Sequence, residues 1–126
     1  MNGLDEILTF YNHEGRAVAY LYEGEYIYLY DGTPVAWLRD GEFIYSYSGK
    51  YLGWVQDGWV RDMNGDAVFF TENASGGPAK PARQARPARG ARGGRPARGA
   101  REARPARPAR TVSWSRMSNE SFFAQR

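Results

Sequence analysis

Tyr26-Ile27-Tyr28-Leu29-Tyr30-Asp31-Gly32-Thr33-Pro34-Val35-Ala36-Trp37-Leu38 is the stretch that decides the fold. Aromatic and β-branched residues flank an Asp-Gly pair, the short-range signature of a β-hairpin. Asp-Gly suits a two-residue turn in which both central residues take φ > 0. Outward from here the unit recurs. Gly15, Gly32, Gly49 and Gly65 stand 17, 17 and 16 residues apart. Each is followed three residues on by Val18, Val35, Leu52 or Val68, and five on by Tyr20, Trp37, Trp54 or Phe70. The third unit turns at Ser48-Gly49 and the fourth at Asn64-Gly65. The first, Asn12-His13-Glu14-Gly15, reads as two residues longer, an even insertion that leaves the strand faces unchanged. A second series, Glu23-Gly24, Asp40-Gly41 and Asp57-Gly58, joins hairpin to hairpin. The expected fold is therefore all-β, a pseudo-four-fold ring of four β-hairpins with about eight short strands. No segment carries a helical period.

Alternation divides the returning strands into two faces. One carries Val18/Tyr20, Val35/Trp37, Leu52/Trp54 and Val68/Phe70, and the other Ala19/Leu21, Ala36/Leu38, Gly53/Val55 and Phe69/Thr71. The small column Ala19, Ala36 and Gly53 fits close approach to a common axis, and Phe69 interrupts it. Both faces are largely apolar, so the strands should be covered on both sides or line an apolar interior. Closing the ring also removes exposed strand edges.

Tyr30 through Leu38, Tyr51 through Asp62, and Phe69 through Pro78 leading into basic triplets and Ser113-Trp114-Ser115, carry a resemblance. The chain resembles the bacterial 4-fold beta flower family over residues 7 to 115 or so. That resemblance implies a small ring of hairpin petals about a central axis. It carries over no catalytic residue, because the family's biochemical role is largely uncharacterised. More distantly the fold resembles the tubby C-terminal and scramblase-like lipid-associated barrels, a likeness of fold alone.

Charge is split along the chain. Residues 1–77 hold four cations against twelve acids, a net of −8, and residues 78–126 hold thirteen cations against two acids, a net of +11. Three segments follow: the ring over 5–77, a low-complexity basic tail over 78–110, and a Trp-containing piece with a frayed terminus over 111–126. The tail runs in eleven triplets, nearly all x-Ala-Arg, with Lys80, Arg83, Arg86, Arg89, Arg92, Arg95, Arg98, Arg101, Arg104, Arg107 and Arg110 in third place. Six prolines and four glycines rule out a continuous α-helix here. The composition fits a disordered, solvated tail. The triplet register fits polyproline II, with three residues per turn. Thr111-Val112-Ser113-Trp114-Ser115 alternates and could dock as a short strand, while Ser118 to Arg126 reads as frayed.

These features point to a non-enzymatic binding module whose tail cations, Lys80 to Arg110, contact polyanions such as nucleic acid phosphates. Two alternatives stand beside it. One is peripheral association with an anionic membrane surface through the tail and aromatic petals. The other is a self-assembling scaffold in which the tail folds on its own acidic domain. No catalytic, metal or cofactor site is expected. The chain has no cysteine, and its one histidine, His13, has no nucleophile to pair with. Asp31, Asp40, Asp57, Asp62 and Asp66 are explained by turn chemistry. Absence of cysteine, of a membrane-length apolar run and of a signal-like start fits a cytoplasmic protein.

Overall fold

Both glycine series turn the chain, but by different geometry. The computed structural model describes residues 7–125. At Glu23-Gly24, Asp40-Gly41 and Asp57-Gly58 both residues have positive φ, at 56° and 71°, 56° and 68°, and 52° and 82°. Two consecutive left-handed residues are what the tight type I′ hairpin turn requires. In the other series only the glycine is left-handed, at 83° in Gly15, 100° in Gly32 and Gly49, and 86° in Gly65. Gly32 N–H donates to Leu29 C=O at 3.0 Å, and Leu29 N–H to Thr33 C=O at 2.9 Å. That is a three-residue loop ending in a left-handed glycine.

The expectation of a two-residue turn at Asp31-Gly32 is thus corrected. So is the extra length assigned to the first loop. Asn12 N–H bonds Arg16 C=O at 2.9 Å as Leu29 bonds Thr33, and Gly15 N–H returns to Asn12 C=O at 2.9 Å. All four loops have the same length. Asn12 Oδ1 accepts from Glu14 and Arg16 N–H at 3.0 Å, and Asp62 Oδ1 does the same for Asn64 and Asp66 at 2.9 and 3.1 Å.

The strands are β1 (Ile7–Tyr11), β2 (Ala17–Tyr22), β3 (Tyr26–Leu29), β4 (Pro34–Arg39), β5 (Phe43–Tyr45), β6 (Tyr51–Gln56), β7 (Trp59–Asp62) and β8 (Ala67–Phe70). Each pairs antiparallel with the next, and β8 closes on β1 through Tyr11 opposite Phe70. The result is a closed barrel with no free edge.

Every petal carries a β-bulge at the same place. Phe10 pairs with Ala19 and Tyr11 with Ala17, which leaves Val18 without a partner. The same skip leaves out Val35, Leu52 and Val68. An extra residue bends the strand and reorients the side chains around it. Leu52 and Val68 therefore join the luminal core, with Val18 and Val35 packed against it. Tyr20, Trp37 and Phe70 lie in separate outer clusters. The expected shared face of Val18 with Tyr20, and of its three equivalents, is corrected by the bulge.

One layer of the lumen takes a residue from each strand, in cross-strand pairs Phe10–Ala19, Ile27–Ala36, Ile44–Gly53 and Val60–Phe69. In three pairs a large side chain faces Ala or Gly, which leaves room for a packed centre. In the fourth Phe69 takes the small position and stacks on Phe10, with ring centroids 5.9 Å apart. The segment read as frayed instead forms helix α1 (Asn119–Phe123), capped by Ser118 Oγ, which accepts from Ser121 N–H at 3.0 Å. Phe122 is 0% exposed and meets Phe69 edge-on, so α1 plugs one end of the barrel. Five residues are too few to display a helical period.

Candidate functional site: an arginine belt around the barrel

The tail does not leave the barrel. Residues 78–110 form an irregular chain whose backbone amides bond the petal loops: Gln84 N–H to Gly15 C=O, Gly93 to Gly32, and Glu102 to Gly49, at 2.8, 2.8 and 2.9 Å. Thr111 N–H completes the series on Gly65 C=O at 3.1 Å. Donors 84, 93, 102 and 111 are nine residues apart, so three triplets span one petal. Gly90 and Gly99 N–H add bonds to Tyr30 and Tyr47 C=O at 2.7 Å.

This docking explains the glycine ladder a second time. A Cβ on Gly15, Gly32, Gly49 or Gly65 would lie 2.0, 1.9, 1.8 or 2.3 Å from the carbonyl oxygen of Ala82, Ala91, Ala100 or Ala109. The belt backbone occupies the space a side chain would need. On Gly24 or Gly41, which share the positive φ, a Cβ would meet nothing within 4 Å.

The belt side chains lie over the outer aromatics. Arg92 stacks on Tyr22, Arg95 on Tyr26 and Arg98 on Trp37, each with its guanidinium carbon 3.8 Å from the ring centroid. Arg104 stands 3.7 Å over Phe43 and Arg107 4.7 Å over Trp54. Arg83, Arg89 and Arg101 are more distant, at 5.7, 5.6 and 5.9 Å from Tyr11, Tyr20 and Tyr45. Arg95 also donates to Tyr28 Oη at 3.0 Å and Arg104 to Tyr45 Oη at 3.4 Å. Apolar rings that the alternation left exposed on the outer face are covered in this way.

Some cations are also paired with acids. Arg98 meets Glu25 at 2.6 Å, Arg83 meets Glu72 at 3.6 Å, and Arg107 and Arg110 meet Glu42 and Asp57. Lys80 Nζ donates to Ala74 C=O at 2.7 Å. Glu102 anchors the belt from its own side, accepting from Tyr51 N–H at 2.8 Å and pairing with Lys50 at 3.3 Å. Among the described residues Arg86, Arg92, Arg95, Arg101 and Arg104 have no carboxylate at ion-pair distance. All five are exposed.

The fourth petal departs from the pattern. Arg61 in β7 holds the register place of Tyr11, Tyr28 and Tyr45, and is 0% exposed. Stepping nine residues on from Arg95 and Arg104 reaches Ser113, so the barrel itself provides the guanidinium here. Arg61 Nη1 donates to Gly65 C=O at 2.6 Å and to Thr111 C=O at 2.8 Å, fastening the end of the belt. Burial, and then the nearby Arg110 charge, hold its pKa below the usual arginine value. Just beyond, Ser113 to Ser115 docks on Ala67 by a parallel bridge, and Trp114 packs against Trp59 at 5.6 Å.

The tail cations expected from the sequence therefore form one array, fixed against the protein's own barrel. The arginines do not all point away from the barrel: several guanidiniums cover its rings. Of the ring floor, Tyr22, Tyr26, Trp37 and Trp54 were expected among the aromatic petals as membrane anchors and not as seats for arginines, and Asp57 only as a turn residue; Phe43, Glu25 and Glu42 went unassigned by sequence reasoning. Prolines 87, 96 and 105, nine residues apart, were the available signal.

Elsewhere, a recess of about 410 Å³ opens where α1 meets the first petal, between Arg16, Val18, Leu29, Glu120 and Phe123. Among the described residues no group of three or more His, Cys, Asp or Glu is placed to hold a metal ion, and no helix is long and apolar enough to cross a membrane. The family model described as 4-fold beta flower protein matches residues 8–123. No curated protein and no solved structure matches the chain.

Proposed function

The chain belongs to the 4-fold beta flower family, and on that premise we propose that it is a non-enzymatic binding module whose arginine belt contacts polyanions such as nucleic acid phosphates. The observation behind this reading is the state of Arg92, Arg95 and Arg104. Their guanidinium carbons lie 3.8, 3.8 and 3.7 Å from ring centroids, and no carboxylate pairs with them among the described residues. A guanidinium seated by its face directs its N–H groups sideways, and although Arg95 and Arg104 each give an Nη1 N–H to a tyrosine hydroxyl, the rest of the edge can contact a phosphate. Because the stack already orders the side chain, less rotamer entropy is lost on binding than from a free tail.

The lipid-anchored alternative has less support, since Tyr22, Tyr26, Trp37 and Trp54 lie beneath guanidiniums. Cross-linking of copies is likewise less favoured, because Glu25, Glu42 and Asp57 meet arginines of their own chain. The reading suits the cytoplasm, where a cysteine-free chain meets nucleic acid.

The test is an RNA or DNA titration at several salt concentrations. Binding should weaken linearly in log–log form with added salt. The Arg92→Gln/Arg95→Gln/Arg104→Gln variant should lower that slope by about 1 per arginine. Binding without salt dependence, or an unchanged slope in a variant that melts like the parent, would refute the reading.

A further inference from the structure

We infer that the belt takes a flexible phosphate chain laid along it, such as a single-stranded nucleic acid or inorganic polyphosphate, and engages a rigid duplex over only one petal. This rests on the polyanion reading above and adds the mechanical class of the ligand.

The argument is one of curvature. Ala82, Ala91, Ala100 and Ala109 sit against Gly15, Gly32, Gly49 and Gly65, one quarter of the barrel for every nine residues. A full circuit is then about 36 residues, or about 110 Å of extended chain, the circumference of a circle of about 18 Å radius. The arginines face outward from this circle at their edges, so a ligand meets a convex surface. Duplex DNA has a persistence length of about 500 Å and touches such a circle as a tangent. With about 4 Å of slack from the side chains, contact is kept over a chord of about 25 Å, close to nine extended residues.

The arginines without a carboxylate partner among the described residues extend further than that. Arg86, Arg92, Arg95, Arg101 and Arg104 span 18 residues, or two petals. A tangent duplex reaches two or three of them, whereas a flexible chain bending with the belt reaches all five. Base recognition has no platform here. Tyr22, Tyr26 and Phe43, the rings nearest these arginines, have guanidiniums on their exposed faces, so stacking of bases on them is blocked. The phosphate chain alone should carry the interaction, which makes nucleic acid and polyphosphate interchangeable.

The numbers separate the cases. Counterion release gives a slope of about −0.7 per phosphate contact for single strands and about −0.9 for duplex. Five contacts therefore predict about −3.5 for a single strand, and two or three predict about −1.8 to −2.7 for a duplex. The full chain is titrated with a labelled 20-nucleotide single strand of mixed sequence and with the duplex of that strand, and long-chain polyphosphate is then added as competitor. The steeper slope for the single strand, with displacement by polyphosphate, is the expected result. Equal slopes, or a steeper one for the duplex, would overturn wrapping and leave the polyanion reading intact. Failure of polyphosphate to displace a bound single strand would overturn recognition through phosphates alone. Absence of salt-dependent binding to any of the three would overturn the polyanion reading itself.

Discussion

Replacing Gly32 by alanine separates the belt's contribution from the turn's. Gly32 has φ of 100°, and a Cβ there would lie 1.9 Å from Ala91 O. Gly24 has φ of 71°, and a Cβ there would meet nothing within 4 Å. Gly24→Ala therefore pays only for a left-handed alanine, about 1–2 kcal/mol. Gly32→Ala carries that same cost and also drives the belt away from the loop. Displacing the belt weakens the Gly93-to-Gly32 hydrogen bond of 2.8 Å, worth about 0.5–1.5 kcal/mol. Stacking of Arg92 on Tyr22, in the same stretch, adds about 0.5–2 kcal/mol. Local opening of the belt should thus become easier by about 1–3.5 kcal/mol, roughly 5- to 300-fold in the opening equilibrium. Trypsin reads this directly, because it cleaves after Arg83, Arg89, Arg92, Arg98, Arg101 and Arg110, the belt cations that no proline follows. Where opening is fast relative to cleavage, the rate follows the opened fraction. Gly32→Ala should be cut within residues 83–110 at least several times faster than Gly24→Ala, and Gly49→Ala, with its 1.8 Å approach to Ala100 O, should behave like Gly32→Ala. Equal cleavage of Gly24→Ala and Gly32→Ala would refute the claim that the glycine ladder seats the belt.

Phe122→Ala removes a 0% exposed ring from the barrel plug and should cost about 3–5 kcal/mol by urea denaturation. A loss below 1 kcal/mol would mean α1 is peripheral to the core. Glu25→Gln/Glu42→Gln releases Arg98 and Arg107 from their acids. These exposed pairs contribute at most about 1 kcal/mol each, so the melt should hardly move, while the polyanion salt slope steepens by about 2. An unchanged slope would count against the belt as the contact surface. Burial raises the pKa of Tyr30, Tyr47 and Tyr51 above the ordinary tyrosine value. The folded state then keeps protons that the unfolded state has released, so stability is full below about pH 10 and falls as pH rises through the folded values. A urea midpoint that stays level or climbs between pH 9.5 and 11 would contradict this.

Much of the barrel was legible because it is written in local pattern. Tyr26 to Leu38 shows a hairpin on its own, since turn chemistry and alternation involve neighbours in sequence. The bulges at Val18, Val35, Leu52 and Val68 were not, because an unpaired residue is defined by the partner strand. Helix α1 escaped because its evidence is a capping serine and a phenylalanine that needs the barrel mouth to be buried.

For the candidate site the division falls elsewhere. The sequence alone determined the charge split, the triplets and the apolar character of both strand faces. Two apolar faces left open a cover on both sides or an apolar interior, and nothing in the local pattern assigned the tail to either. Which way its arginines point was decided by tertiary contacts between residues 65 to 73 apart, such as Arg95 on Tyr28, Arg98 on Glu25 and Arg107 on Glu42. A left-handed glycine in a turn reads the same whether its missing side chain faces solvent, as at Gly24, or another stretch of chain, as at Gly32. Nine belt residues match one petal only because the barrel has a particular circumference. That length is a property of the closed sheet and belongs to no single repeat.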